Sequence, residues 1–235
     1  MIKSFLMIGQ SNMAGRGNFG EVPEIINDRC YMLRNGRWQP MSEPINPDRQ
    51  VFGAFHSGVG LAASFADEYA NHFGENIGLI PCADGGTAIS EWQPGELLYD
   101  NAVSQAKLAQ RTSEIVGILW HQGENDSCDI KDVKLYHDRF IKMISSLLKD
   151  LNLPQNTPIL IGELGDFVGT YDAGKCKFHK EINTTLKELS QELPCGGFVS
   201  SKDLVCKDDG IHFDSKSYRQ FGKRYFEVYL RIKEK

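Results

Sequence analysis

Short apolar runs alternate with longer segments whose apolar residues recur at helical spacing. Ile2 to Ile8 reads as a first strand, and Ile77-Gly78-Leu79-Ile80 as a second. Ile115 to Trp120 is a third, Ile159-Leu160-Ile161 a fourth, and Phe198-Val199 a fifth. Between them, Leu61, Phe65, Tyr69 and Phe73 step four residues at a time along one helix face, with Gly74 as a stop. Leu97 to Gln110 predicts a second helix. Val133, Tyr136, Phe140, Met143, Ile144, Leu147 and Leu151 predict a long third one, ending near Pro154. Ile182, Leu186, Leu189 and Leu193 mark a fourth, stopped by Pro194; Tyr218, Phe221, Tyr225 and Val228 mark a C-terminal one.

Strand–helix alternation repeated in this way predicts an α/β fold: a parallel sheet with helices on both faces. The strands are short and apolar throughout, as expected of a sheet covered on both sides. One stretch breaks the rhythm. From about Gly15 to Val59 there is no clear periodicity, but there are Pro23, Pro40, Pro44 and Pro47, with Arg34, Arg37 and Trp38. A connection that long is expected to be a functional excursion over a sheet edge, and its polar side chains suit a sugar better than an acyl chain. No interdomain linker, repeat or low-complexity tract interrupts residues 1–235, so one domain is expected.

Composition narrows the function classes. Of 235 residues, 41% are hydrophobic and 24% charged, which excludes a disordered chain. A net charge of -5 is not the footprint of a nucleic-acid binder. No apolar run reaches the ~18 residues a membrane span needs. The apolar N-terminus runs into Gly9-Gln10-Ser11 without a cleavage motif, so a cytoplasmic location is expected. Cys30, Cys82, Cys128, Cys176, Cys195 and Cys206 form no C-x-x-C pair and read as scattered thiols in a reducing compartment. Asn125 and Asn183 begin N-x-S/T sequons, which matter only in a secreted protein.

In an open α/β sheet, ligands bind beyond the carboxyl ends of the strands. The segments there are Gly9-Gln10-Ser11-Asn12-Met13-Ala14-Gly15, then Cys82 to Trp92 with Gly85-Gly86-Thr87, then His121-Gln122-Gly123-Glu124-Asn125-Asp126-Ser127, and last Asp208-Asp209-Gly210-Ile211-His212-Phe213. Ser11 is the candidate nucleophile. A hydroxyl needs a base, and His212 is the candidate, with Asp209 three residues before it to fix the imidazole tautomer. Glu124 is an alternative partner for His212, and these spacings do not choose between the two carboxylates. Oxyanion donors are sought in the N–H of Ser11, the turn at Gly85-Gly86, and the Gln122 amide. His121 is either a substrate contact or a packed loop residue. The G-x-G-x-x-G match at Gly15–Gly20 neither follows a strand directly nor opens a helix, which argues against dinucleotide binding. His121, Glu124, Asp126 and Asp129 lack a recognised metal spacing. Cys82 and Cys206 are the only thiols placed to compete as nucleophiles.

Gly9-Gln10-Ser11-Asn12-Met13-Ala14-Gly15, Gly85-Gly86-Thr87 with Ser90-Glu91-Trp92, Trp120-His121-Gln122-Gly123-Glu124, and Asp209-Gly210-Ile211-His212-Phe213 together resemble the SGNH/GDSL-like serine esterases. Within these, the chain is most similar to the carbohydrate esterase family 6 and sialate O-acetylesterase-like group. The resemblance implies a three-layer α/β/α sandwich with a five-stranded parallel sheet in flavodoxin-like order. It implies Ser11 as nucleophile, His212 as base and Asp209 as its partner, and it keeps Glu124 in play. Ser11, Gly85 or Gly86, and Gln122 would form the oxyanion hole, Gln122 standing where broader SGNH enzymes carry Asn. Gln10, Asn12, His121 and Trp92 are the expected substrate contacts. The implied activity is removal of O-acetyl groups from small acetylated carbohydrates, of xylo-oligosaccharide or sialic acid type, without metal or organic cofactor. The competing readings are a lipase or thioesterase, and a non-catalytic carbohydrate-binding module on the same fold.

Overall fold

The computed structural model describes residues 1–47 and 57–234. Seven strands form one sheet: β1 (Ile2–Gly9), β2 (Cys30–Arg34), β3 (Arg37–Pro40), β4 (Ile77–Pro81), β5 (Ser113–His121), β6 (Ile159–Gly162) and β7 (Gly196–Val199). Their spatial order is β3-β2-β4-β1-β5-β6-β7. All neighbours are parallel except β2 and β3. The five strands expected from the apolar runs are β4-β1-β5-β6-β7, which is the flavodoxin-like order.

The α/β class therefore holds, but the sheet has seven strands and not five. Both extra strands come from the Gly15–Val59 stretch. They form a hairpin whose turn, Asn35-Gly36, takes positive φ at both residues, 52° and 73°. That geometry matches the twist of the flanking strands, and Asn-Gly is its usual sequence. The dipeptide was the available signal; strands of five and four residues were too short to display a period. Residues 48–56 of the same stretch lie outside the described residues.

Trp38 and Arg34, two of the polar side chains of this stretch, are engaged within the protein. Trp38 packs over Gly78, where a methyl group would come within 2.6 Å of the indole, and its Nε1 donates to Thr112 Oγ1 at 3.1 Å. Thr112 immediately precedes β5, at the end of the sheet opposite the ligand-binding loops. Arg34 donates to the carbonyls of Pro44 and Ile45, bracing the returning chain.

β1 shows how the pattern builds three layers. Phe5 and Met7 point to one face, where α2 (Leu61–Phe73) and α6 (Ser215–Lys233) pack. Leu6 and Ile8 point to the other, covered by α3 (Leu97–Ala109), α4 (Ile130–Asp150) and α5 (His179–Glu192). On the first face Phe5, Phe65, Tyr69 and Tyr229 meet edge to face. The helix ends have local causes. Gly74 adopts the left-handed conformation that closes α2, while Asp129 and Asp214 cap α4 and α6 through backbone N–H groups.

Cys128 and Cys176 form a disulfide, correcting the expectation of six scattered thiols. It links the segment entering α4 to the one entering α5. Cys30, Cys82, Cys195 and Cys206 are free. No helix among the described residues is long and apolar enough to cross a membrane.

Candidate active site

β1 ends at Gly9 with φ +131°, so close to β5 that a Cβ would lie 2.1 Å from the His121 carbonyl oxygen. Only glycine fits there. The chain then turns into the single helical turn α1 (Ser11–Ala14), with Ser11 as its first residue. Ser11 is 6% exposed, at the carboxyl edge of the central strand.

Opposite it lies the loop from Cys206 to Phe213, closed at its base by an antiparallel bridge between those two residues. Lys207 N–H donates to the His212 carbonyl at 2.9 Å, and Gly210, with φ +73°, donates back to the Lys207 carbonyl at 3.1 Å. Asp209 Oδ1 accepts from the backbone N–H groups of Ile211 at 3.0 Å and His212 at 2.9 Å. This Asx-type turn is what a three-residue Asp–His spacing produces. It sets Asp209 Oδ2 2.8 Å from His212 Nδ1, and His212 Nε2 lies 2.9 Å from Ser11 Oγ. Burial pushes the Asp209 carboxyl upward, but the imidazole and the two N–H groups outweigh it and hold the group well below the usual carboxylate range.

Glu124 is elsewhere. Its carboxylate is buried, accepting from Asn12 Nδ2 at 2.6 Å and lying 3.4 Å from His121 Nε2. Burial would raise its pKa, yet His121 and the Asn12 amide bring it below the ordinary value. Asp209, not Glu124, contacts His212.

The four expected substrate contacts are all buried. Gln10, Asn12, His121 and Trp92 are 3%, 1%, 0% and 1% exposed. Asn12 donates to Glu124 and to the Ile211 carbonyl at 3.1 Å, and accepts from Tyr218 Oη at 2.6 Å and Phe213 N at 3.3 Å. It ties the nucleophile turn to the His212 loop. Gln10 Oε1 accepts from Gln122 Nε2 at 3.2 Å and from the N–H groups of Gly123 and Asn125, both at 3.4 Å. His121 packs edge-on against Phe213 and Phe221, and Trp92 against Trp120 while its Nε1 donates to Thr87 Oγ1.

Gln122 is fully buried, and its amide hydrogens serve Thr87 O at 3.0 Å, Asp126 Oδ2 at 2.5 Å and Gln10. These bonds lock the loops together and leave the amide no hydrogen for an oxyanion. Of the two glycines, Gly85 adjoins the nucleophile: a methyl group there would lie 3.5 Å from Ser11 Cβ and 2.6 Å from the Arg16 guanidinium. Around a Cβ at Gly86 nothing lies within 4 Å, and its carbonyl accepts from Asn125 Nδ2 at 3.0 Å. Cys82 is no competing nucleophile, since burial pushes its thiol up to about 12. Sequence reasoning weighed Asp126 only as a metal ligand. Its carboxylate instead accepts from Gln122 and from Ile89 N–H, joining two loops, and burial raises it to about 6.

A serine, histidine and aspartate aligned at the carboxyl edge of a doubly wound sheet define a serine-esterase type of α/β protein. A family model described as carbohydrate esterase, sialic acid-specific acetylesterase matches residues 2–231. A probable carbohydrate esterase of Arabidopsis thaliana is 34% identical over 96% of this chain and 89% of its own length. A solved Arabidopsis thaliana structure superposes with a TM-score of 0.82 at 30% identity, over 97% of this chain and 98% of that one. NanS shares the fold, with a TM-score of 0.81 at 17% identity, over 99% and 98% of the two chains. The chain belongs to this carbohydrate esterase family, and it is a carboxylic ester hydrolase.

Proposed function

We propose that this protein removes acetyl groups from small acetylated carbohydrates through an acetyl-enzyme intermediate. The observation that carries the reading is the continuous line from Asp209 through His212 to Ser11 Oγ, with bonds of 2.8 and 2.9 Å. His212 accepts the Ser11 proton through Nε2 as Oγ attacks the acetyl carbonyl. Asp209 holds the ring in that tautomer and stabilises the imidazolium. The oxyanion rests on backbone N–H groups, with Ser11 and Gly85 as the proposed donors. The tetrahedral intermediate collapses, the sugar oxygen leaves with the proton from His212, and Ser11 carries the acetyl group. Water, deprotonated by His212, then releases acetate and restores the serine.

The carbohydrate part of the proposal draws on the family description and on the carbohydrate acetylesterases among similar structures. A fluorophosphonate probe is expected to label the wild type and not Ser11→Ala; a folded wild type that resists labelling would favour a binding module. Acetate release from acetylated xylo-oligosaccharides and sialic acids identifies the sugar. Faster turnover of p-nitrophenyl octanoate than of the acetate overturns the acetylesterase assignment in favour of a lipase or thioesterase.

A further inference from the structure

We infer that Lys207 is a positioning residue of the catalytic apparatus, acting through Asp209. The inference rests on the reading of Ser11, His212 and Asp209 as a triad. Lys207 Nζ lies 3.2 Å from Asp209 Oδ2, the same oxygen that meets His212 Nδ1. The ammonium also donates to the Arg16 carbonyl at 2.9 Å. One side chain thus clamps the loop carrying Asp209 and His212 to the segment that follows the Ser11 turn, 191 residues away in sequence. Its backbone adds two more bonds inside the loop, to the His212 carbonyl and from Gly210 N–H. An ammonium has three donor hydrogens and no acceptor, so it serves a carbonyl and a carboxylate together.

Two consequences follow from its place. The clamp fixes the distance between the imidazole and the hydroxyl, on which proton transfer depends. The charge also shares the Asp209 carboxylate with His212, so it draws off part of the stabilisation that the imidazolium receives. Ionisable groups near this cluster include Glu21 and Arg16 from the β1–β2 connection, Cys206 and Asp208 in the loop, and Asp214, Lys216 and Tyr218 at the start of α6. Glu21 feels the Lys207 charge, and Tyr218 feels Arg16 and Asp209.

The test is kcat and KM with p-nitrophenyl acetate for the wild type, Lys207→Met, Lys207→Gln, Lys207→Arg and Ser11→Ala. Lys207→Met is expected to lose kcat about tenfold or more with KM nearly unchanged, because the clamp positions the reacting groups and does not bind substrate. Lys207→Gln retains a donor for the Arg16 carbonyl without the ion pair to Asp209, so it falls between methionine and the wild type, and it keeps the test open even if Lys207→Met folds poorly. Lys207→Arg restores most of kcat. A wild-type kcat in folded Lys207→Gln and Lys207→Met, or an arginine variant no better than methionine, overturns the inference while Ser11 dependence stays intact. Full activity in Ser11→Ala overturns the triad reading and the role of Lys207 with it.

Discussion

Asn12 shows how one buried side chain can tie a site together. Its four hydrogen bonds reach Glu124, Tyr218, and the backbone on both sides of His212. Every one of its hydrogen-bonding positions is used, and its orientation is set by the Glu124 carboxylate, which can only accept. Asn12→Ala strands a buried carboxylate oxygen, a carbonyl and a hydroxyl. It is expected to destabilise the protein by about 3 kcal/mol, as for a broken buried polar network, and to lower kcat because the His212 loop loses an anchor. Denaturant unfolding and steady-state kinetics check both; an unchanged midpoint would mean that the network contributes nothing. Asn12 stands out in the sequence only as a polar residue beside the serine. Whether such a residue faces substrate or core depends on what the third strand's loop and the C-terminal loop bring to it, and that is not local information.

At the scale of elements, β1 ends in glycine and its first helical turn is buried, so Ser11 is presented by a rigid edge rather than by a flexible loop. The packing of α6 on α2 supports the same edge. Gly222 lies against the start of α2, where a Cβ would come within 2.0 Å of the Leu61 carbonyl oxygen and 2.2 Å of Ser64 Oγ. Gly222→Ala must therefore push the helices apart, at a cost of about 2 kcal/mol for an overpacked contact. A thermal unfolding midpoint as high as the wild type's would contradict that close approach. Helix periodicity placed α2 and α6 correctly. The hairpin β2–β3 escaped because its signal was two turn residues, not a period, and short edge strands have little hydrophobic pattern to display.

At the scale of the whole molecule, two carboxylates couple stability to pH in opposite directions. Asp126 titrates near about 6 when folded, against an ordinary value of 3.8. Its contribution to stability is complete below about pH 4 and is lost as pH rises through 6, because the folded state holds the proton more tightly. Two pKa units correspond to about 3 kcal/mol. Asp209 acts the other way: its folded pKa is depressed, so its contribution is present above about pH 4 and is lost only as pH falls further. Asp126→Asn is expected to be most destabilised relative to wild type near pH 4 and to lose much of that deficit by pH 7. Unfolding measured across this range checks it, and a constant difference at all pH values would remove Asp126 from the coupling.

Much of this was written locally. Apolar runs and four-residue steps determined five strands, the main helices and the parallel class, because burial on both sheet faces leaves few alternatives for such a pattern. Asp209 was also legible as one of two candidate partners for His212, since a three-residue spacing can turn a carboxylate back onto an imidazole. Folding decided what depends on distant chain segments. It set Asp209 rather than Glu124 on the imidazole, and Gly85 rather than Gly86 beside the serine. It turned Gln10, Asn12, His121, Trp92 and Gln122 inward as the frame of the site. Polar residues near a strand end look the same in sequence whether they face solvent or one another; only the meeting of four loops at one sheet edge determines which hydrogen bonds they make.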